Sequence, residues 1–270
     1  MKKTKLIGIV IIIILCLIQL VPLYITITVS LKSLGDLSSY WKMPIVPHLQ
    51  NFITALESAN LLRAFFNTFI ITLFSTLAVL ILATMASYPL ARNPSRFNKG
   101  VRTFILSIMM IPALSLLVPI YVLLLRLGVI SRFHGIIPIH VAFNLPLAVY
   151  MFSNFIKTIP MELDEAAMID GCSVYSIFYR IIVPLLKPVI VSVIILTAVP
   201  VWNDFQYSLY FLPRPSMRTL TLAIASFFSM SGSNPHVAAA MALMAIIPIV
   251  LLFIILQKYF IKGMVDGAIK

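Results

Sequence analysis

Residues 64–91 read AFFNTFIITLFSTLAVLILATMASYPLA, twenty-eight positions without one Asp, Glu, Lys or Arg. An α-helix covers the roughly 30 Å hydrocarbon core of a bilayer in about 20 residues, so this run is long enough to cross. Its apolar residues are continuous rather than alternating. That favours a helix over a barrel strand, the two forms that satisfy their own backbone in lipid. Working outward, residues 6–31, 103–125, 133–156 and 237–257 are equally free of charge, with only the neutral His134 and His140 in 133–156. Residues 188–203 are shorter, at 16, and are followed by Asp204 and an aromatic stretch. The pattern predicts six crossings. A re-entrant segment at 188–203, leaving five, is the alternative.

Composition agrees. Of 270 residues, 61% are hydrophobic and only 10% charged, whereas soluble domains carry about 25% charged residues. Such a chain cannot cover its apolar side chains in water. The net charge of +12 points to orientation rather than to nucleic acid. With the amino end inside, segments 1–5, 92–102, 157–187 and 258–270 hold 13 Lys and Arg, against 7 on the other side. That is the bias expected of cytoplasmic loops, and it predicts that both termini are cytoplasmic. The chain divides into 1–63, a first transmembrane helix with an extracellular segment, and 64–270, a five-helix core holding the inward loop 157–187. The first run is too long for a signal-peptide core and lacks a small-x-small cleavage site, so a retained helix is expected. Cys16 and Cys172 fall in different compartments, which argues against a disulfide, and two cysteines make no metal cluster. Ala238, Ala239, Ala240, Ala242 and Ala245 give the last helix a small face, which predicts close helix packing.

The inward loop, KTIPMELDEAAMIDGCSVYSIFYRIIVPLLK, reads as two short helices rather than a tether. Thr158 is the expected cap of the first, with Pro160 in its first turn, where no N–H is needed. Glu162 lies near the positive helix end, Ala166 and Ala167 favour helix, and Gly171 can take the positive φ that ends it. Ser173 is a candidate second cap. Val174, Ile177, Phe178, Ile181 and Ile182 recur at helical spacing, and Pro184 ends the pattern. Glu162, Asp164, Glu165 and Asp170 place acids beside the apolar stripe. These residues fit a peg built to meet another protein, and they also fit an amphipathic helix lying on the bilayer.

The order Glu165-Ala166-Ala167, Asp170-Gly171, Phe178, Ile182 and Pro184 resembles the EAA loop of ABC importer membrane subunits. The surrounding sequence is similar to the carbohydrate-importer branch, the maltose MalG-like permeases. The likeness extends over about residues 5–270 through Leu127-Gly128, Gly135, Asn144-Leu145-Pro146, Trp202-Asn203-Asp204-Phe205, Thr219-Leu220-Thr221, Gln257-Lys258-Tyr259-Phe260, Gly263 and Gly267-Ala268. Cys172, where a small Ala is usual, and Asp266, in a usually uncharged stretch, depart from it.

The resemblance implies an all-α transmembrane, six-helix type I ABC importer permease (MetI-like) with a cytoplasmic coupling helix, in a prokaryotic plasma membrane. It implies a second homologous permease, two cytoplasmic ATP-binding subunits that use ATP and Mg2+, and an extracellular or periplasmic solute-binding protein. On that likeness Glu165 makes the polar docking contact, and Ala166 and Ala167 allow close approach. Asp170 stabilises the turn, Gly171 forms the bend, and Phe178 and Pro184 hold the second short helix.

No G-x-x-x-x-G-K-[ST] loop occurs, so this chain is expected to bind no cofactor and to catalyse nothing itself. His48, His134, His140 and His236 are scattered along the chain. Trp202, Asn203, Asp204 and Phe205 are the candidate solute path, since an acid beside a span must face water or a partner. An interfacial aromatic anchor accounts for them equally. The alternative to an ATP-driven importer is an ion-gradient-driven secondary transporter, although neither internal repeats nor buried acid pairs are evident.

Overall fold

The computed structural model describes residues 2–58, 60–230 and 234–268, and side chains throughout these except at 2–5, 229–230 and 259–268. The side chains of Lys2, Lys3, Lys5, Tyr259, Phe260 and Asp266, and the terminal Gly263 and Gly267-Ala268 pattern, lie outside that description.

Among the described residues all regular structure is helical. In order the chain forms α1 (Lys2–Ser30), α2 (Gln50–Ser58), α3 (Leu61–Arg92), α4 (Arg96–Ile108), α5 (Leu117–Arg126), α6 (Phe133–Thr158), α7 (Glu162–Ile169), α8 (Val174–Ile177), α9 (Val183–Leu185), α10 (Lys187–Trp202), α11 (Gln206–Phe211), α12 (Leu220–Met230) and α13 (Pro235–Ala268). Four helices are long and apolar enough to cross a membrane: Leu6–Ser30, Leu61–Arg92, Phe133–Thr158 and Pro235–Lys258. Two bent pairs raise the count to six if each is one span. These are Arg96–Ile108 with Ala113–Arg126, bent by 90°, and Val174–Leu185 with Lys187–Trp202, bent by 73°.

The first bend divides the charge-free run 103–125 between two helices. Pro112 has no N–H to donate, and its ring clashes with a helical carbonyl four residues back. The helix accordingly ends at Ile108 and resumes through a 3₁₀ turn at Ala113–Leu116. The second bend falls at Leu186, between α9 and α10, where Pro188 cannot donate to the Pro184 carbonyl as a continuous helix would require. Upstream of it, Pro184 cannot donate to Arg180, and the chain widens into a π turn over Phe178–Ile182, closed by Val183 N–H donating to the Phe178 carbonyl. Pro188 then lies in the first turn of α10, where its missing N–H costs nothing.

The residues pack as two compact units, Met1–Phe65 with Leu220–Pro248, and Phe66–Thr219 with Ile249–Lys270. In the first, part of the small face of α13 packs inward, with Ala238, Ala240 and Met241 all at most 1% exposed. Ala239, Ala242 and Ala245 are half-buried. The segment after α1 is held from within by Lys32, which is fully buried. Its Nζ donates to the carbonyls of Ser38 (3.0 Å) and Ser39 (2.9 Å) and lies 3.6 Å from the Asp36 carboxylate. Asn51 donates to the Ser30 and Lys32 carbonyls, both at 2.8 Å, and Tyr24 donates to the Trp41 carbonyl at 2.9 Å. Hydrogen bonds from Ser38, then the Lys32 charge, hold the Asp36 carboxyl below its ordinary range.

The second unit holds an extensive apolar cluster. Val79, Ala83 and Tyr88 of α3 meet Ala148, Val149, Phe152 and Ile156 of α6 there, along with Leu186, Val189 and Val193. Ala167, Ile177, Phe178 and Ile182 of the 157–187 loop join the same cluster. The loop is thus built into the core rather than hung from it.

Candidate functional site

The loop's first helix begins later than its sequence indicates. Thr158 is the last residue of α6, and its hydroxyl donates back to the Phe155 carbonyl at 2.8 Å. It does not cap α7. Met161 occupies the N-cap position without a side-chain hydrogen bond, and Glu162, Asp164 and Glu165 fill the first turn, where the helix dipole favours carboxylates. The far end closes at Gly171, whose φ is +80°. Its N–H donates to the Met168 carbonyl (3.0 Å), and Cys172 N–H donates to the Ala167 carbonyl (2.9 Å). This is the paired bonding of a Schellman motif. Asp170 sits at the last position before that bend, and the bonds that close it are main-chain ones. Ser173 caps α8, its hydroxyl accepting from Ser176 N–H at 3.3 Å.

Two faces of α7 then separate. Asp164 and Ala167, three apart and hence on one face, are 1% and 6% exposed. Glu162, Glu165, Ala166 and Ile169, at helical spacings of three, four and seven, are exposed, Ile169 to 86%. The outward face therefore offers two carboxylates, a methyl group and one uncovered isoleucine. Tyr175, on α8, is 78% exposed.

Sequence alone groups Asp164 with its acidic neighbours, but the fold makes it an anchor. Arg92, at the end of α3, donates from Nε to Asp164 Oδ2 (3.1 Å) and from Nη2 to Oδ1 (2.9 Å). Its Nη1 also reaches the Ile159 carbonyl at 2.9 Å, and the Tyr88 hydroxyl donates to Asp164 Oδ2 at 2.8 Å. Two parallel bonds between guanidinium and carboxylate fix direction as well as distance. The usable signal in the sequence was the shared face of Asp164 and Ala167, but the partner lay 72 residues away.

Beneath this joint Phe178 is 6% exposed, its ring 5.5 Å from Tyr88 and 4.8 Å from Tyr179. Pro184 is exposed, and its effect is on the backbone, at the π turn described above.

The second candidate group divides. Trp202 is 5% exposed, whereas Asn203 and Phe205 are exposed. Asn203 Nδ2 donates back to the Val199 carbonyl at 2.9 Å. Asp204 accepts from Tyr207 N–H (3.1 Å), Ser208 N–H (2.9 Å) and the Ser208 hydroxyl (2.7 Å), which holds the first turn of α11. Its Oδ2 lies 3.9 Å from His140 Nε2. The Tyr207 ring meets His140 edge-on at 5.7 Å and stacks on Phe143 at 5.3 Å. Among the described residues no group of three or more His, Cys, Asp or Glu side chains could hold a metal ion.

Long and bent apolar spans, with a helical loop anchored on one face and bare on the other, define a multi-spanning membrane protein. The comparisons with known proteins narrow that class. Residues 79–266 match the family described as binding-protein-dependent transport system inner membrane component, and the chain belongs to that family. It is 45% identical over 251 residues to the melibiose/raffinose/stachyose import permease protein MelC of Bacillus subtilis, covering 93% of this chain and 91% of that one. The probable starch degradation products transport system permease protein AmyC of Thermoanaerobacterium thermosulfurigenes is 32% identical, at 96% and 94% coverage. Among solved structures, a bacterial ABC transporter involved in the import of the acidic polysaccharide alginate has the same fold, with a TM-score of 0.82 at 21% identity over 96% of this chain and 97% of that one. The chain is a membrane permease subunit of an ABC-type import system. Nothing in the family or in these relatives supports an ion-gradient-driven secondary transporter.

Proposed function

We propose that this chain is the MalG-like half of a binding-protein-dependent oligosaccharide importer, working with a sister permease, two ATP-binding subunits and a solute-binding protein. The excess of Lys and Arg supports a cytoplasmic position for both termini and for α7, where ATP-binding subunits reside. The observation that carries the proposal is the division of α7 into an outward face of Glu162, Glu165, Ala166 and Ile169 and an inward face locked by Asp164 and Ala167. ATP binding draws the partner subunits together and displaces α7. Because Asp164 is bonded to Arg92 and Phe178 packs on Tyr88, the displacement passes into α3 rather than bending the loop. The family's description supports binding-protein-dependent delivery, and the relatives' names support an oligosaccharide solute. Asn203 and Phe205 are the members of the Trp202–Phe205 group available to a solute. Trp202 supports them from behind.

The test is reconstitution of the complex in proteoliposomes, with labelled raffinose, its binding protein and ATP. Uptake that requires all three, and that is lost in Glu165→Ala while the permease pair still assembles, is the expected result. Wild-type uptake by Glu165→Ala and Gly171→Ala, with unaltered ATPase binding, would overturn the docking role.

A further inference from the structure

Among the described residues of the second unit, five polar atoms have no hydrogen-bond partner although their residues are more than nine-tenths buried. They are the hydroxyls of Thr72, Ser75 and Thr76 on α3, and Nε2 of His140 and the hydroxyl of Ser153 on α6. Ser153 stands alone, more than three turns beyond His140. Farther along α3, Thr84 and Ser87 satisfy their hydroxyls on their own helix. Thr84 donates back to the Leu80 carbonyl at 2.7 Å, and Ser87 to the Thr84 carbonyl at 3.0 Å. Polar groups sealed from water without a partner are costly, so buried hydroxyls normally find one. Three adjacent exceptions on one helix, spanning about 6 Å of its axis, form a patterned feature.

Packing places them at a common depth with His140. Ile71 of α3 and Ile136 of α6 share one buried cluster with Val201 and Leu212. Further along both helices, Val79 and Ala83 share another with Ala148 and Val149. The two helices therefore run in the same direction, and one turn beyond Ile71 and Ile136 come Ser75 and His140. The Asp204 carboxylate, 3.9 Å from His140 Nε2, is already engaged by Ser208 and Tyr207.

We infer that Thr72, Ser75, Thr76 and His140 Nε2 form a polar belt near the middle of α3 that hydrogen-bonds the hydroxyl groups of a passing saccharide when the path opens. Sugar hydroxyls both donate and accept, as do Ser and Thr hydroxyls, and an imidazole nitrogen serves in either role according to its tautomer. A series of weak, equivalent partners lets a polar solute enter without being held. The inference rests on the importer proposal and adds a site to it.

The experiment uses the reconstituted complex with labelled raffinose as probe. It compares wild type, the triple variant Thr72→Val/Ser75→Ala/Thr76→Val, and Thr84→Val, which removes a hydroxyl already bonded to its own helix. Thermal stability and binding-protein-stimulated ATP hydrolysis are read beside uptake. Removing an unpartnered buried hydroxyl leaves stability unchanged or raised, so the triple variant is expected to melt no lower than wild type and to hydrolyse ATP normally. Its uptake per ATP is expected to fall about tenfold, the equivalent of one to two lost hydrogen bonds, with Thr84→Val unaffected. Wild-type uptake by the triple variant overturns the belt, as does a parallel loss of melting temperature, ATP hydrolysis and uptake. A wild-type complex that binds its ATPase subunits but takes up no saccharide overturns the importer proposal itself, and the belt with it.

Discussion

Arg92 and Asp164 meet through two bonds, of 3.1 and 2.9 Å, with the carboxylate side chain 1% and the guanidinium side chain 11% exposed. The pair ties the last residue of α3 to the first turn of α7, and the Tyr88 hydroxyl adds a third bond to the carboxylate. Removing one member leaves the other buried and unpaired, which typically costs about 3–5 kcal/mol. Asp164→Ala is therefore expected to lower the melting temperature of the assembled permease clearly. Arg92→Met/Asp164→Leu should recover much of that stability, because no charge is stranded. With the mechanical link gone, this double variant is expected to hydrolyse ATP but to take up less solute per ATP. Uptake equal to wild type in the stable double variant would make the pair purely structural.

Glu165 and Ala166 face away from the fold and Ala167 faces into it, so three adjacent residues separate docking from stability. Glu165→Ala and Ala166→Leu are expected to leave melting within about 0.5 kcal/mol of wild type, as exposed substitutions usually do. Both should weaken capture of the ATP-binding subunit in a pull-down. Ala167→Leu forces bulk into the cluster around Ile177 and Phe178, and is expected to destabilise by about 1–3 kcal/mol. Equal effects of all three on melting would contradict the two-faced placement.

Much of this was legible in the sequence. Charge-free runs identified the apolar spans, and Gly171 and Ser173 occupy the bend and the second cap that their chemistry suits. What escaped was non-local. Asp164 looks like Glu162 and Glu165 along the chain, and only the arrival of Arg92 beside it makes burial of its charge tolerable. Thr158 had the chemistry of a cap, but α6 continues far enough to absorb it. Pro112 was visible inside an otherwise clean run, yet the composition of 103–125 carries no information about a 90° bend. Lys32 reads as an ordinary loop charge, whereas the carbonyls that surround it are assembled only when residues 36–39 fold over it.

Gly171 allows a backbone effect to be tested apart from crowding. Its φ of +80° is strained for any residue with a Cβ, while a Cβ built there meets nothing within 4 Å. Gly171→Ala is expected to cost about 1–2 kcal/mol through conformation alone. Gly171→Asn should cost less, since Asn tolerates this region better than Ala. Thermal melting of the two variants gives the order. If Ala proved as well tolerated as Asn, the bend would not depend on the left-handed conformation.

Asp36 makes the segment after α1 sensitive to acid. Bonds from Ser38 and the Lys32 charge lower its pKa beneath the ordinary 3.8. A carboxyl depressed on folding contributes stability that is complete above its unfolded pKa and disappears as pH falls through the folded one. The segment should therefore keep its structure at neutral and mildly acidic pH and loosen only below 3.8. Trp41, whose carbonyl accepts from Tyr24, reports on it by fluorescence. Asp36→Asn is expected to remove this acid transition, and a transition that persists unchanged in that variant would assign it to another group.

The Trp202–Phe205 group offers the last separation of support from contact. Trp202 is buried, and truncating it to Ala should cost about 3–5 kcal/mol, as large aromatic cavities do. Asp204→Ala releases the first turn of α11 and should cost about 1 kcal/mol. Phe205 is 39% exposed, and the Asn203 side chain bonds only within its own helix end. Phe205→Ala is expected to leave melting nearly unchanged while raising the half-saturating raffinose concentration for uptake, because an aromatic face stacks against the C–H surface of a sugar ring. The measurement is uptake against raffinose concentration at saturating ATP and binding protein, with melting recorded on the same preparations. A Phe205→Ala complex with wild-type affinity and rate would place the solute path elsewhere. If the Thr72–Thr76 variant lost uptake in the same preparations, the solute would be passing along α3 without touching the far end of α10.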